Sequence, residues 1–218
     1  MRSQQAIIEV DGWIVGQRIP TTPEPHPVIV LLHGWTGDEN SMRVFMPKLP
    51  RDAMLLAPRG LFPTPLGGYG WHAYKPDYWP WVDDFQSAIE GLINVLTPEN
   101  FPGGDFTQFS LVGFSQGAAC SYAFSLEHPW LVSRIAGLSG FLPEGAAALA
   151  RNLPLQGKPV FIAHGTLDTL VPVERARQAA SVLQLAGASV SYCEEEVGHK
   201  LSASCFRGLE YYFSQVNP

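Results

Sequence analysis

Charge, cysteine and long apolar runs are all scarce in this chain, and each scarcity narrows what it can be. Only 16% of the 218 residues are Asp, Glu, Lys or Arg, and the net charge is −6. That balance leaves no room for the basic clustering of a nucleic-acid surface, so no nucleic-acid partner is expected. Cysteine occurs three times, at Cys120, Cys193 and Cys205, with no C-x-x-C pair and one thiol left over. The simplest expectation is three buried, reduced thiols. H-E-x-x-H is absent, the histidines lack ligand spacing, and there is no Walker A loop or dinucleotide fingerprint. Neither a metal nor an organic cofactor is expected. No apolar run approaches membrane-spanning length, and Met1-Arg2-Ser3-Gln4-Gln5 leads into Ala6-Ile7-Ile8-Glu9-Val10 without a signal-peptide core. The expectation is a soluble cytoplasmic protein with no stable membrane insertion.

Apolar residues, by contrast, make up 46% of the chain, enough for one domain over 1–218 with a sizeable core. Apolar strand patterns alternate with helical ones, which predicts an α/β fold: a mostly parallel central sheet with helices on both faces. Strands are predicted near 6–10, 13–18, 28–32, 53–57, 108–113, 134–138, 159–163 and 188–194. The hairpin signal Asp11-Gly12 makes the first two an antiparallel edge pair. Helices are predicted near 40–49, 82–97, 116–127, 144–151, 173–186 and 201–215. The second is the clearest, with Val82, Phe85, Ala88, Ile89, Leu92, Ile93 and Leu96 on one face.

One motif carries chemistry. Gly113-Phe114-Ser115-Gln116-Gly117 is a G-x-S-x-G pattern between an apolar strand and a small-residue helix. Such a strand-turn-helix exposes a serine oxygen above a sheet, ready to attack a carbonyl. α/β-Hydrolases order their triad as nucleophile, acid, histidine. After Ser115 there is one aspartate, Asp168, and after Asp168 one histidine, His199. Both fall where loops leave the C-terminal ends of strands. Glu127, Glu144 and Glu174 are alternative acids, but each lies in or beside a helical segment. A serine hydroxyl needs a base to become a nucleophile, and histidine titrates in the right range. The carboxylate sets the imidazole tautomer and stabilises the imidazolium. Oxyanion donors complete the set. The backbone N–H of Gln116, next to the nucleophile, and that of Trp35, in the glycine-rich loop after Val28-Ile29-Val30-Leu31-Leu32, are the candidates.

These residues resemble a known family. His33-Gly34-x-x-Gly37-Asp38, Gly113-Phe114-Ser115-Gln116-Gly117, Asp168-x-x-Val171-Pro172 and Gly198-His199 are similar to the motifs of the phospholipase/carboxylesterase family of α/β-hydrolases, over roughly residues 26–215. The resemblance implies an α/β-hydrolase fold with no separate cap domain, the triad Ser115, Asp168 and His199, and oxyanion donors at Trp35 and Gln116. Ala118 is glycine in many relatives, and Trp35 stands where a smaller residue is usual. Ala57-Pro58-Arg59-Gly60 with Gly67-Gly68-Tyr69-Gly70-Trp71 looks like the small bacterial carboxylesterase branch, related to the acyl-protein thioesterases.

Segment 58–81 is long, aperiodic and rich in aromatics. Ordered loops of this kind are usually functional, and its aromatics either line a substrate groove or bury one another. Trp71, Tyr69 and Leu170 are the candidate substrate-binding residues. Arg59 is read as one half of a salt bridge that holds the segment, and His164 as structural. The expected function is hydrolysis of small to medium carboxylic esters through an acyl-enzyme. The alternatives are an acyl-protein thioesterase or lysophospholipase, and a non-catalytic homologue that binds a ligand or a partner. A small-molecule ester is the expected partner, and a homodimer is conceivable through apolar surface at the site rim.

Overall fold

The computed structural model describes residues 4–215. The strands are β1 (Gln4–Val10), β2 (Trp13–Ile19), β3 (His26–Leu32), β4 (Met54–Pro58), β5 (Phe62–Pro63), β6 (Tyr69–Gly70), β7 (Gly104–Phe114), β8 (Val132–Leu138), β9 (Pro159–Gly165) and β10 (Ser189–Glu195). Eight of them form one sheet in the order β1-β2-β4-β3-β7-β8-β9-β10, while β5 and β6 pair separately. All eight predicted strands are present. β2 runs antiparallel to both neighbours, β1 and β4, the other pairings of this sheet are parallel, and β5 pairs antiparallel with β6. The expected edge pair is therefore corrected in one respect: β1 alone is an edge, and β2 lies inside the sheet.

The helices are α1 (Gln86–Val95), α2 (Gln116–Glu127), α3 (Ala146–Leu149), α4 (Val173–Leu185) and α5 (Ala203–Ser214). Strand residues alternate between two cores, as the two-residue period of a strand requires. Val28, Val30 and Leu32 of β3 face a core with Ile89 and Leu92 of α1, Phe124 of α2 and Leu183 of α4. Ile29 and Leu31 face the other, with Met42, Phe45 and α5 residues Leu209 and Tyr212. Each fully buried large side chain contributes roughly 1.5–3 kcal/mol, which makes these two layers the main stabilising force. The sheet is thus covered on both faces, the arrangement of an α/β-hydrolase.

The predicted helix at 40–49 is instead two short 3-10 turns, Ser41–Val44 and Met46–Lys48. Pro47 is the reason: it has no N–H to give a helix interior and clashes with the carbonyl four residues back. The helices at 82–97 and 144–151 are shorter than predicted, because their ends tighten into 3-10 turns at Val82–Phe85 and Ala150–Asn152. Among the described residues, no helix is long and apolar enough to cross a membrane.

Strand order sets the position of the site. β3 pairs with β4 on one side and β7 on the other, so connections diverge at the carboxyl ends of β3 and β7. Such a switch point leaves a crevice outside the sheet. The His33–Gly37 loop leaves β3 there, and Ser115 follows β7.

Candidate active site

Ser115 is the single residue between β7 and α2, with φ 54 and ψ −116. A side chain in that region costs on the order of 1–3 kcal/mol and persists only when its surroundings hold it. They do. Its N–H donates to the Leu138 carbonyl at 2.8 Å, and its carbonyl accepts from Ala118 at 3.0 Å and Ala119 at 3.3 Å. The motif's two glycines have separate causes, both of close approach. A Cβ at Gly113 would overlap the backbone of Gly117 and Ala118, and one at Gly117 would overlap the carbonyls of Leu32 and His33. Helix α2 can therefore fold back tightly enough to aim its N-terminus at the crevice, where its partial positive charge favours an anion.

Asp168 lies in the turn after β9 and is buried. Its Oδ1 accepts from the N–H groups of Leu170 and Val171, both at 2.9 Å, and its Oδ2 from His199 Nδ1 at 2.7 Å. A carboxylate only accepts, so His199 carries its hydrogen on Nδ1 and leaves Nε2 free to take a proton. The aspartate side chain is 0% exposed and the histidine 19%, so the pair spans from core to crevice. The imidazole lies against the ring of Phe114, centroids 5.0 Å apart, which brings it beside the Ser115 turn. Among the described residues, no hydrogen bond joins the Ser115 hydroxyl to His199. The alternative acids are elsewhere: Glu144 is paired with Arg175 at 2.6 Å, Glu174 lies near Arg177, and Glu127 ends α2.

The loop after β3 presses on the nucleophile: a Cβ at Gly34 would sit 3.2 Å from the Ser115 Cβ. Trp35 follows Gly34 directly in that loop. Gln116 is the first residue of α2, where an N–H has no partner within the helix. His33 supports the loop from behind. The Gly60 N–H donates to His33 Nε2 at 2.8 Å, which places the ring hydrogen on Nδ1, 2.7 Å from the Gly34 carbonyl. Burial pushes the His33 pKa below its ordinary value, and a second proton would break the bond from Gly60.

Trp71 requires a correction. It is fully buried, so it lines no open groove. Its Nε1–H donates to the His33 carbonyl at 2.7 Å, and its backbone N–H donates to Gln116 Oε1 at 2.8 Å. Trp71 and the Gln116 side chain thus lock both halves of the oxyanion region together, a role that its backbone position alone did not signal for Gln116. Tyr69 is half-buried, with its ring under the Arg59 guanidinium at 4.8 Å. Arg59 forms the expected ion pair, two bonds to Glu39 at 2.7 and 3.0 Å. Leu170 is 69% exposed on the acid's own turn, open to a bound molecule. Tyr74 of the aromatic segment stacks on Trp35 of the loop after β3 at 5.7 Å, and the Tyr69 N–H donates to the Gly37 carbonyl at 2.9 Å.

A groove of about 500 Å³ adjoins the site, lined by Gly34, Trp35, Met42, Val44, Phe45, Phe114, Lys200, Leu201 and Phe206. It runs between the oxyanion loop and the residues that follow His199. Met42, Val44, Phe45 and Phe206 carry no mark in the sequence, because segments about 160 residues apart meet there only in the fold. A larger cavity, about 1100 Å³, lies among Pro25, Arg51, Arg134 and Phe213, and no triad residue lines it.

The cysteines also depart from expectation. Cys193 and Cys205 form a disulfide, and only Cys120 is a free, buried thiol. The bond ties the end of β10 to the first turn of α5, with His199 midway between. Spacing in the chain did not signal it, since the two residues are brought together only by the return of the chain after His199.

Comparison with known proteins agrees with this geometry. The acyl-protein thioesterase 1 of Debaryomyces hansenii is 28% identical over 193 residues, covering 78% of this chain and 82% of that protein. The Saccharomyces cerevisiae acyl-protein thioesterase 1 is 33% identical over 92 residues, 42% of this chain and 40% of that protein. The crystal structure of a Bacillus cereus carboxylesterase superposes with a TM-score of 0.82 at 21% identity, covering 94% of this chain and 95% of that one. The family model for phospholipases and carboxylesterases matches residues 74–216, a span that includes Ser115, Asp168 and His199. The chain belongs to the phospholipase/carboxylesterase family.

Proposed function

We propose that this protein is a serine esterase that works through an acyl-enzyme. Ser115 attacks the ester carbonyl while His199 Nε2 takes its proton, and the N–H groups of Trp35 and Gln116 receive the oxyanion. His199 then protonates the leaving alcohol, and in the second half activates the water that releases the acid. The observation that carries this reading is the pairing of a strained Ser115 at a helix N-terminus with a buried Asp168 holding His199 at 2.7 Å. The serine–histidine contact is often long in a resting site and tightens with substrate.

The groove supports an acyl group of medium length. Its lining is mainly apolar, with Trp35, Met42, Val44, Phe45 and Phe206, whereas a pocket closed by Trp71 would have limited the enzyme to the smallest esters. Thioesters are the second reading, supported by the thioesterase names of the relatives. For location we propose the cytoplasm, against which the Cys193–Cys205 bond weighs, since such bonds persist in oxidising compartments. The Cys193–Cys205 bond supplies the test, since alkylation of protein from intact cells distinguishes a reducing from an oxidising compartment.

The decisive experiment is a rate series on p-nitrophenyl esters from acetyl to palmitoyl, run beside Ser115→Ala. The expected result is an optimum at intermediate length that vanishes in the variant while its circular dichroism is unchanged. An optimum at the longest chains would move the assignment to a thioesterase or lysophospholipase. Equal turnover by Ser115→Ala would sink the serine mechanism, and no turnover by either protein would point to a binding role.

A further inference from the structure

β9 ends in His164-Gly165, and the triad acid follows in the next turn. His164 is 1% exposed and has no part in the triad, yet its ring is placed unequally. Nε2 lies 2.8 Å from the Val171 carbonyl oxygen and 3.4 Å from Asp168 Oδ2. Both oxygens are acceptors, so Nε2 carries a hydrogen; it donates that hydrogen to the Val171 carbonyl, and the carboxylate oxygen lies close beside the bond. Nδ1 is buried and has no hydrogen-bond partner among the described residues. An orphaned buried atom costs free energy and requires a reason. Filling space is not that reason, because an apolar side chain would fill it without the orphan.

The bonds around the acid supply one. Val171 gives its N–H to Asp168 Oδ1 while its carbonyl is held by His164, so the histidine closes the turn that presents the carboxylate. The longer contact to Oδ2 faces the same oxygen that holds His199. Glu194, the residue opposite His164 on β10, is engaged with Arg177 and Tyr192 instead.

We propose that His164 is a positioning residue for the triad: its Nε2–H clamps the Asp168–Val171 turn and aims Oδ2 at His199. The imidazole of His199 then keeps its hydrogen on Nδ1 and its lone pair toward Ser115. This assignment rests on the serine-hydrolase reading above. His164 touches neither the substrate nor the nucleophile.

The test compares His164→Leu with His164→Gln, whose amide nitrogen can take the place of Nε2. Active sites are counted by covalent titration with a fluorophosphonate, so that unfolded protein does not enter the rate. The leucine variant is expected to lose about tenfold in kcat per titrated site at unchanged KM, the effect of one hydrogen bond that closes the turn presenting the carboxylate. Glutamine is expected to restore most of it. In an Asp168→Asn background the leucine change should cost nothing more, because no carboxylate remains to be oriented. If the leucine variant does not fold, His164→Asn, too short to reach the Nε2 position, must show the same loss. Wild-type kcat per site in these variants would overturn the proposal, and so would an equal loss with and without Asp168. If wild-type turnover is serine-dependent in either case, the failure is of His164 alone. If Ser115→Ala turns over as fast as wild type, the proposal falls together with the reading beneath it.

Discussion

Trp71, His33 and the two glycines around Ser115 show how much of this site is built by residues that supply only support. The serine's φ of 54 is sustained by three backbone hydrogen bonds and by two glycines whose missing Cβ atoms let α2 approach β3. Trp71 then supports the loop opposite through a bond to the His33 carbonyl. Trp71→Phe keeps most of the apolar bulk but leaves that carbonyl without its donor. The expected loss is about 1–3 kcal/mol of stability, with a fall in kcat because the unsupported carbonyl belongs to the oxyanion loop. Urea denaturation beside steady-state rates checks it; unchanged values in both would show that the bond is dispensable. Asp168→Asn acts differently. It leaves the fold standing and is expected to lower kcat by about 10⁴-fold, the triad precedent for a wrong tautomer.

At the scale of elements, the stretch from β10 to α5 is the one most dependent on a covalent tie. Cys193 and Cys205 stand 12 residues apart and enclose the turn with His199 at its midpoint. Closing a loop of that length stabilises by about 3 kcal/mol in the chain-entropy account. The double substitution Cys193→Ser with Cys205→Ser is therefore expected to lower the guanidinium midpoint and, because the tether positions His199, to lower kcat as well. Thiol titration of the folded protein provides the control: no thiol should react before unfolding, since burial keeps Cys120 in its protonated form and out of reach. Two reactive thiols in the oxidised protein, or an unchanged midpoint, would refute the tether.

For the whole molecule, the distribution of buried titratable groups sets the response to acid. Burial pushes His33, His72 and His128 below the ordinary value of 6.5. The unfolded chain takes up these protons first, so their contribution is fully present above pH 6.5 and is lost as pH falls from there through the folded values. Glu39, held down chiefly by its bonds to Arg59, and Glu194, by its bonds to Arg177, act lower: their contribution is lost only as pH falls below 4.5. Glu127 opposes them, since burial raises its pKa and it stabilises most when protonated. Three histidines against one glutamate give a Tm that declines between pH 7 and pH 5. His33→Gln, which can still accept from Gly60, should flatten part of that slope. A Tm that rises over the same interval would contradict the account.

Two kinds of information separate at this point. The sequence by itself determined the eight sheet strands, through their apolar runs and turn signals, and singled out the triad candidates, because one aspartate remains after Ser115 and one histidine after Asp168. These are local patterns or matters of chain order, and neither needs the fold to be read. Only the tertiary structure decided the rest. Trp71 became a buried brace because β6 bridges to Gly37 in the loop after β3 and brings the indole to the His33 carbonyl. The groove formed where Val44 and Phe206 meet, and Cys193 reached Cys205 when α5 returned to the sheet. Each of these depends on which distant segments touch, and side-chain period and residue type along a chain carry no record of that.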